Sequence, residues 1–248
     1  MSGFLGTGKI SIAPYSSGAT FGAREFRKIG NSSTFEYSFT EEKKELKDYQ
    51  DPAGGVDSSF TRVDKVEGKI DVRQVSAANL ALALWGTTAA LNATAITGEA
   101  HVINAGAFIP TDRIIDTTVA PVVKEGATVL DTDDYVVSAG GITIAATITT
   151  AGITDGDTIT IDYTPKASAD VQALVSAAPD VSVMFEGVNA VDNKVATAKM
   201  WKAKLGVASN ISMIGEDFAT LSLTFTVQKD ETVIGAGLSQ FIRLEVQS

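Results

Sequence analysis

Two runs of strict two-residue alternation decide what this chain can build. In STFEYSF, residues 33–39, Phe35, Tyr37 and Phe39 fall on one side, and Thr34, Glu36 and Ser38 on the other. In VEGKIDVRQV, residues 66–75, Val66, Ile70 and Val72 face one way, and Glu67, Lys69, Asp71 and Arg73 the other. A period of two belongs to a strand with one buried face, not to a helix. Between the two runs lies EEKKELKDYQDPAGG, residues 41–55, with seven charges in the eight positions from Glu41 to Asp48 and then a break at Pro52 and Gly54-Gly55. The pattern predicts two antiparallel strands joined by a loop over 41–59, far longer than an ordinary hairpin connection.

The rest of the chain repeats the theme. GKISIAPY near the start, VSVMFEGVN at 181–189, ATAKMWKAKLGV at 196–207, FATLSLTFTVQKDE at 218–231 and FIRLEVQ at 241–247 all read as strands. One helix stands out, over 76–85. Ser76 serves as its N-cap, Ala77, Leu80 and Leu84 share a face, and Gly86 stops it. From residue 99 to 178 the texture changes to short Thr-, Ala-, Val- and Ile-rich strands, AHVIN, DYVVS, ITIAATIT and TITIDYT, with turns at Gly126, Gly140-Gly141 and Thr154–Asp157. That spacing is typical of a β-sandwich-like unit. The expectation is a mainly β fold in which residues 1–97 and 179–248 form one domain with a short flanking α-helix. A second β-rich unit, 99–178, is inserted into it after a small polar linker, Asn92–Gly98.

Catalytic chemistry finds little footing. The run Gly3–Lys9 spells most of a phosphate-binding loop, but Ile10 stands where Ser or Thr should hold magnesium, and a strand follows instead of a helix. His101 is the one histidine, and the chain has no cysteine, so a thiolate site, a disulfide and a two-histidine metal site are all out of reach. DTDDY at 131–135 and TDGDT at 154–158 lack the spacing of a calcium loop and read as turns. No catalytic residue, metal or cofactor is expected. No apolar run approaches the roughly 18–20 residues that span a bilayer, and MSGFLGTGKISIAP carries no export signal pattern. The expectation is therefore a product that stays in the cell that makes it, or leaves without the usual export route, with no membrane partner. A net charge of −10 argues against gripping nucleic acid through its phosphates. It does not argue against a protein that must avoid gripping DNA.

The order of these segments resembles the tail tube proteins of tailed bacteriophages. It runs GKISIAP, FGAREFRKIGNSSTFEYSF, the charged EEKKELKDY, KVEGKIDVRQV, ANLALALWG, and far downstream MFEGVN and MIGEDFATLSLTFTVQKDE. The middle DYVVSAGGITIAATITTAGITDGDTITIDYT is similar to text found in many phage structural proteins. The resemblance implies a tail-tube-like β-sandwich or barrel subunit. Such subunits form hexameric rings that stack into a tube, the conduit for DNA ejection, which DNA crosses without specific binding. It also implies assembly in the host cytoplasm, a final place in the virion tail, and contacts with tape-measure, completion and baseplate or tip proteins, and with a sheath where one exists.

In that family a long loop between two strands reaches the neighbouring ring. The resemblance therefore assigns that role to Glu41, Glu42, Lys43, Lys44, Glu45, Lys47 and Asp48, with Leu46 and Tyr49 as apolar anchors and Gly54 and Gly55 as the bend. Strand alternation makes Glu36, Glu67 and Asp71 the candidates to face the lumen. Two other classes share parts of the pattern. A secretion-tube subunit or another virion ring or decoration protein has a similar β-rich texture. A carbohydrate-binding surface β-sandwich is less favoured, because aromatic content is only 7% and sugar platforms need exposed rings.

Overall fold

The computed structural model describes residues 5–50 and 54–248. Its elements follow the alternation closely. The chain begins with β1 (Gly6–Pro14), β2 (Arg27–Lys28), β3 (Ser32–Lys47) and β4 (Val56–Val72), then α1 (Ala77–Ala83) and β5 (Thr87–Leu91). A series of shorter strands follows: β6 (Ile96–Val102), β7 (Phe108–Pro110), β8 (Val122–Glu125), β9 (Thr128–Val129), β10 (Tyr135–Ser138), β11 (Gly141–Ile144), β12 (Thr158–Tyr163) and β13 (Ser168–Gln172). The chain closes with β14 (Asp180–Asn189), β15 (Val195–Leu205), β16 (Leu221–Gln228) and β17 (Ile242–Val246). The fold is mainly β, the ladders of the three larger sheets are antiparallel, and α1 is the one α-helix among the described residues. No sheet among them closes into a barrel.

The chain divides into two compact units, residues 1–88 with 171–248, and residues 89–170. Both boundaries fall earlier than the 99 and 178 read from the sequence. The expected linker is the reason: instead of a free spacer, β5 precedes it and β6 begins inside it at Ile96, and β5 pairs with β13 in a two-stranded ribbon where the chain crosses between units.

In the first unit one sheet runs in the order β2-β1-β14-β15-β16-β4-β3, with β17 beside the first half of β15. Its core is the inward face of each strand: Ile10 and Ile12, Ile70 and Val72, Val181 and Val183, Met200 and Leu205, and Leu221, Leu223, Phe225 and Val227. Phe35 on β3 stacks on Phe185 on β14, with ring centroids 5.2 Å apart, so the sheet curls until its β3 end faces the β1–β14 side. Gly8 belongs to this packing and not to a phosphate loop. A side chain there would collide with Glu186 O at 2.5 Å and with the Phe185 ring. Helix α1 is shorter than the predicted 76–85, but its cap is the expected one, Asn79 N donating to Ser76 Oγ at 3.2 Å. At its other end the left-handed residue is Trp85, with φ of 49°, and Gly86 N bonds back to Ala81 O at 2.7 Å. Gly86 is required for space, since a Cβ would sit 2.3 Å from Gln172 O.

In the second unit a three-stranded sheet, β10-β11-β7, and a four-stranded sheet, β6-β12-β8-β9, share one core. Ile109, Ile142 and Ile144 come from the first, and Val123, Ile159 and Ile161 from the second, all buried. The run ITIAATIT is not one strand. It leaves the sheet after Ile144 and turns through Thr149 and Thr150. Both threonines bind a buried aspartate in the turn ahead of β10, Asp134, by backbone and hydroxyl alike.

Candidate functional site

The charged stretch is not a loop. Strand β3 continues to Lys47 and β4 begins at Val56, so the two strands form one long hairpin in which Glu41 pairs with Val63, Lys43 with Thr61, Lys44 with Phe60 and Glu45 with Ser59. The predicted loop over 41–59 is corrected to a strand pair with a short turn. The cause is cross-strand pairing, which continues wherever two chains stay in register, whether or not a core lies beneath. Asp48 N donates to Gly55 O at 3.0 Å, and Gln50 N to Asp48 Oδ1 at 2.7 Å, which closes the described part of the turn. Gly54 and Gly55 have φ of 65° and 147°, a bend that side-chain-bearing residues resist. Pro52 lies outside the described residues.

The hairpin leaves its own core at Phe39 and Val66. Beyond that point none of residues 40–47 or 56–65 is buried, and Glu42 alone is half-buried. Eight residues from Thr40 to Lys47 at ~3.4 Å each give a reach of about 27 Å. Two bulges, between Thr40 and Glu41 and between Leu46 and Lys47, sharpen its twist. One face carries Glu42, Lys44, Leu46, Arg62 and Phe60; the other carries Glu41, Lys43, Glu45, Lys47 and Val63. Arg62 meets Glu42 at 2.5 Å, Lys44 meets Glu42 at 3.5 Å, and Lys43 meets Glu45 at 2.6 Å. Pairs as exposed as these contribute only ~0.2–1 kcal/mol each. They do not explain why a two-stranded ribbon, marginal in water on its own, extends this far. Leu46 and Tyr49 are open to solvent, and Phe60, which sequence reading passed over, is 62% exposed beside Leu46. The alternation Phe60–Arg62 was its only signal.

Nearer the body, the outward faces of β3, β4 and β16 lie side by side. Thr34, Glu36 and Ser38 stand opposite Asp71, Lys69 and Glu67, which stand opposite Ser222, Thr224 and Thr226. The face is polar throughout and carries three carboxylates against two ammoniums, Lys69 and, next in the β4 row, Lys65, whose Nζ sits 2.9 Å from Glu67 Oε2. The structure thus brings Glu36, Glu67 and Asp71 together on one surface. Lys69 does not stand free in it, because its Nζ sits 2.9 Å from Asp71 Oδ2. Burial pushes the Asp71 carboxyl up, but hydrogen bonds from Ser222 at 2.6 Å and from Lys69 outweigh this and hold it below the usual aspartate range. Arg73 lies beyond the end of β4.

The remaining candidates for chemistry serve structure. His101 Nε2 donates to Glu99 Oε1 at 2.7 Å, and Tyr163 OH to Glu99 Oε2 at 2.6 Å. Burial and the Glu99 carboxylate push the Tyr163 hydroxyl up to about 12. The Asp-rich turns are tied into the fold: Asp131 accepts from Asp133 N and Asp157 from Thr154 N and Oγ1 within their own turns, and Asp155 accepts from Ala105 N in a distant segment. Among the described residues no three His, Asp or Glu gather as a metal site, and no helix is long and apolar enough to cross a membrane. A buried ion pair gave no signal in the sequence. Arg24 reaches Asp230 at 3.2 Å and also donates to Ser182 Oγ and Trp201 O, both at 2.6 Å.

No curated protein matches the chain. One family model does, over residues 3–245, and its description is a protein of unknown function, UCP028589. With almost its whole length matched, the chain belongs to that family.

Proposed function

We propose that the chain is a structural subunit that assembles with copies of itself into stacked hexameric rings, the tail tube of a bacteriophage, through which genomic DNA is ejected. The observation that carries this reading is the β3–β4 hairpin. It runs about 27 Å past its own core, exposes Leu46 and Phe60, and holds charges of both signs in register. Such an element does nothing for the fold it leaves and suits one that docks on a neighbour, where its apolar side chains lose water and its ion pairs gain directionality. Rings of this kind use sheet edges as interfaces, and β3 is an edge strand.

The acidic face of β3, β4 and β16 fits the lumen in this reading. If six subunits contribute four strands each, about 24 strands at ~4.8 Å spacing and ~40° tilt close a ring about 48 Å across at the backbone. Side chains narrow that to a bore still wider than a DNA duplex. A face with carboxylates in excess repels phosphate and offers no chain of Lys and Arg from which counterions are released. Electron microscopy of the purified protein in negative stain is the direct test. Rings or tubes with a central channel are expected. A protein that remains monomeric across micromolar to millimolar concentration overturns the reading.

A further inference from the structure

The core of the first unit is not sealed. Between the curled ends of its sheet lies an open groove of about 700 Å³. Its floor is Ala196 and Ala198 on β15, and its walls are Phe35 and Tyr37 on β3 and Leu244 and Val246 on β17. Register explains why it stays open. Leu244 pairs with Ala198 and Val246 with Ala196, so all four side chains share the core face of the sheet. The two alanines fill little volume, and the two larger side chains stand 54% and 67% exposed, with nothing among the described residues packed over them. This is core surface without its cover.

The same unit carries a projection with the opposite defect. The connection between β15 and β16, residues 206–220, presents Met213, Ile214 and Phe218 almost wholly to solvent, Ile214 at 95% exposure. Three large apolar side chains within six residues are costly to leave in water and mark a contact surface. The chain cannot bring this loop to its own groove. The loop leaves β15 at Leu205, nine residues and about 30 Å along the strand from Ala196. Its first residues are then fixed at that far end, Gly206 N to Thr224 O at 2.8 Å and Ala208 N to Ala83 O at 2.7 Å.

We infer that the Met213–Phe218 loop of one copy seats in the Ala196–Leu244 groove of the next. When the loop of each copy enters the groove of the next, the contact is heterologous and runs from copy to copy, whereas a reciprocal exchange between two copies would close a two-fold dimer and give no ladder below. The inference rests on the self-assembly reading above and adds a second point of attachment, separate from the hairpin. Seating Ile214 and Phe218 against Ala196, Ala198, Leu244 and Val246 covers both exposed surfaces at once. Small floor residues leave the depth that a phenyl ring needs.

The absence of cysteine from the chain makes the test direct. Ile214→Cys and Leu244→Cys are introduced together, the protein is concentrated until it assembles, and a mild oxidant is added. A disulfide forms only where the two Cα atoms come within about 7 Å. The expected result is a ladder of dimers, trimers and longer covalent oligomers on a non-reducing gel, while each single variant stops at dimers. In parallel, Ile214→Asp with Phe218→Asp should keep the wild-type melting temperature, because both side chains are exposed in the monomer, and raise the concentration needed for assembly about 100-fold or more. Assembly with no ladder, or with unchanged concentration dependence in the Asp variant, overturns the loop–groove contact and leaves the self-assembly reading standing. A fast-migrating intramolecular disulfide also overturns it, since the loop then fills its own groove. A wild-type chain that never assembles overturns both.

Discussion

Asp134 shows how much one residue can organise. Its Oδ1 accepts from Thr149 N and Oγ1, both at 2.9 Å, and its Oδ2 from Thr150 N at 2.8 Å and Oγ1 at 2.6 Å. The Thr150 hydroxyl, with the two backbone amides, holds the carboxyl down at about 2, from an ordinary aspartate value of 3.8. A depressed acid stabilises the fold above its unfolded value, and that contribution is lost as the pH falls through the folded one. Wild-type protein should therefore lose thermal stability between about pH 4 and pH 2, and Asp134→Asn should lower the melting temperature at pH 7 while flattening the acid branch. Equal slopes for the two proteins in that range count against the assignment. The buried pair of Arg24 and Asp230 invites a second measurement. Removing one partner strands a buried charge, so Asp230→Ala should cost about 3–5 kcal/mol in urea unfolding. Arg24→Met with Asp230→Leu should recover much of that loss. Neither residue was legible in the sequence. The ligands of Asp134 lie fifteen and sixteen positions away, and Arg24 and Asp230 are 206 apart. Nothing in local pattern marks a carboxylate for a partner that only the folded chain brings near.

At the scale of elements, alternation was a good guide to faces and a poor guide to ends. Val66, Ile70 and Val72 are buried and Glu67, Lys69 and Asp71 are not, as the period of two required. Composition misled at 41–59, because seven charges in eight positions look like a loop when burial is the only reason considered for a strand. The hairpin persists on cross-strand bonds, and its consequence is testable. Deleting residues 43–56 removes no buried side chain from the described part of the hairpin, so the variant should fold and melt within a few degrees of wild type, yet form no long tubes in negative stain. Normal-length tubes from it would sink the docking role of the hairpin. The acidic face supplies a separate experiment. Glu36→Lys with Asp71→Lys reverses two of its three carboxylates, a change repeated in every subunit of a ring. Tubes of this variant should assemble and retain DNA at low salt, then release it as salt rises and screening shortens to about 8 Å at physiological strength. Tubes that show no salt-dependent retention would place these residues away from any DNA path.

For the whole molecule, the sequence carried the division into two parts, because the strand spacing and the Thr-rich texture change inside the chain. It did not carry the boundaries, since β5 and β13 pair with each other and so belong to neither texture. The shared core of the second unit, with Ile109, Ile142, Val123 and Ile161 all buried, is complete within residues 89–170. Joining Thr88 to Val171 should therefore leave a first unit that still unfolds cooperatively and still forms rings, as read by thermal melting and microscopy. Loss of both would mean that the inserted unit is part of the foundation and not an addition.

The ribbon of β5 and β13 has one more consequence. Because the outgoing and returning strands run side by side, only about 5 Å separates the chain's exit from its re-entry. A gap that narrow is a ready port for grafting. An enzyme or antigen whose termini lie close together can replace residues 89–170 without prying the first unit open. If the subunit stacks as proposed, each graft would be displayed six times per ring, at a density set by the rise of the tube and not by chemical coupling.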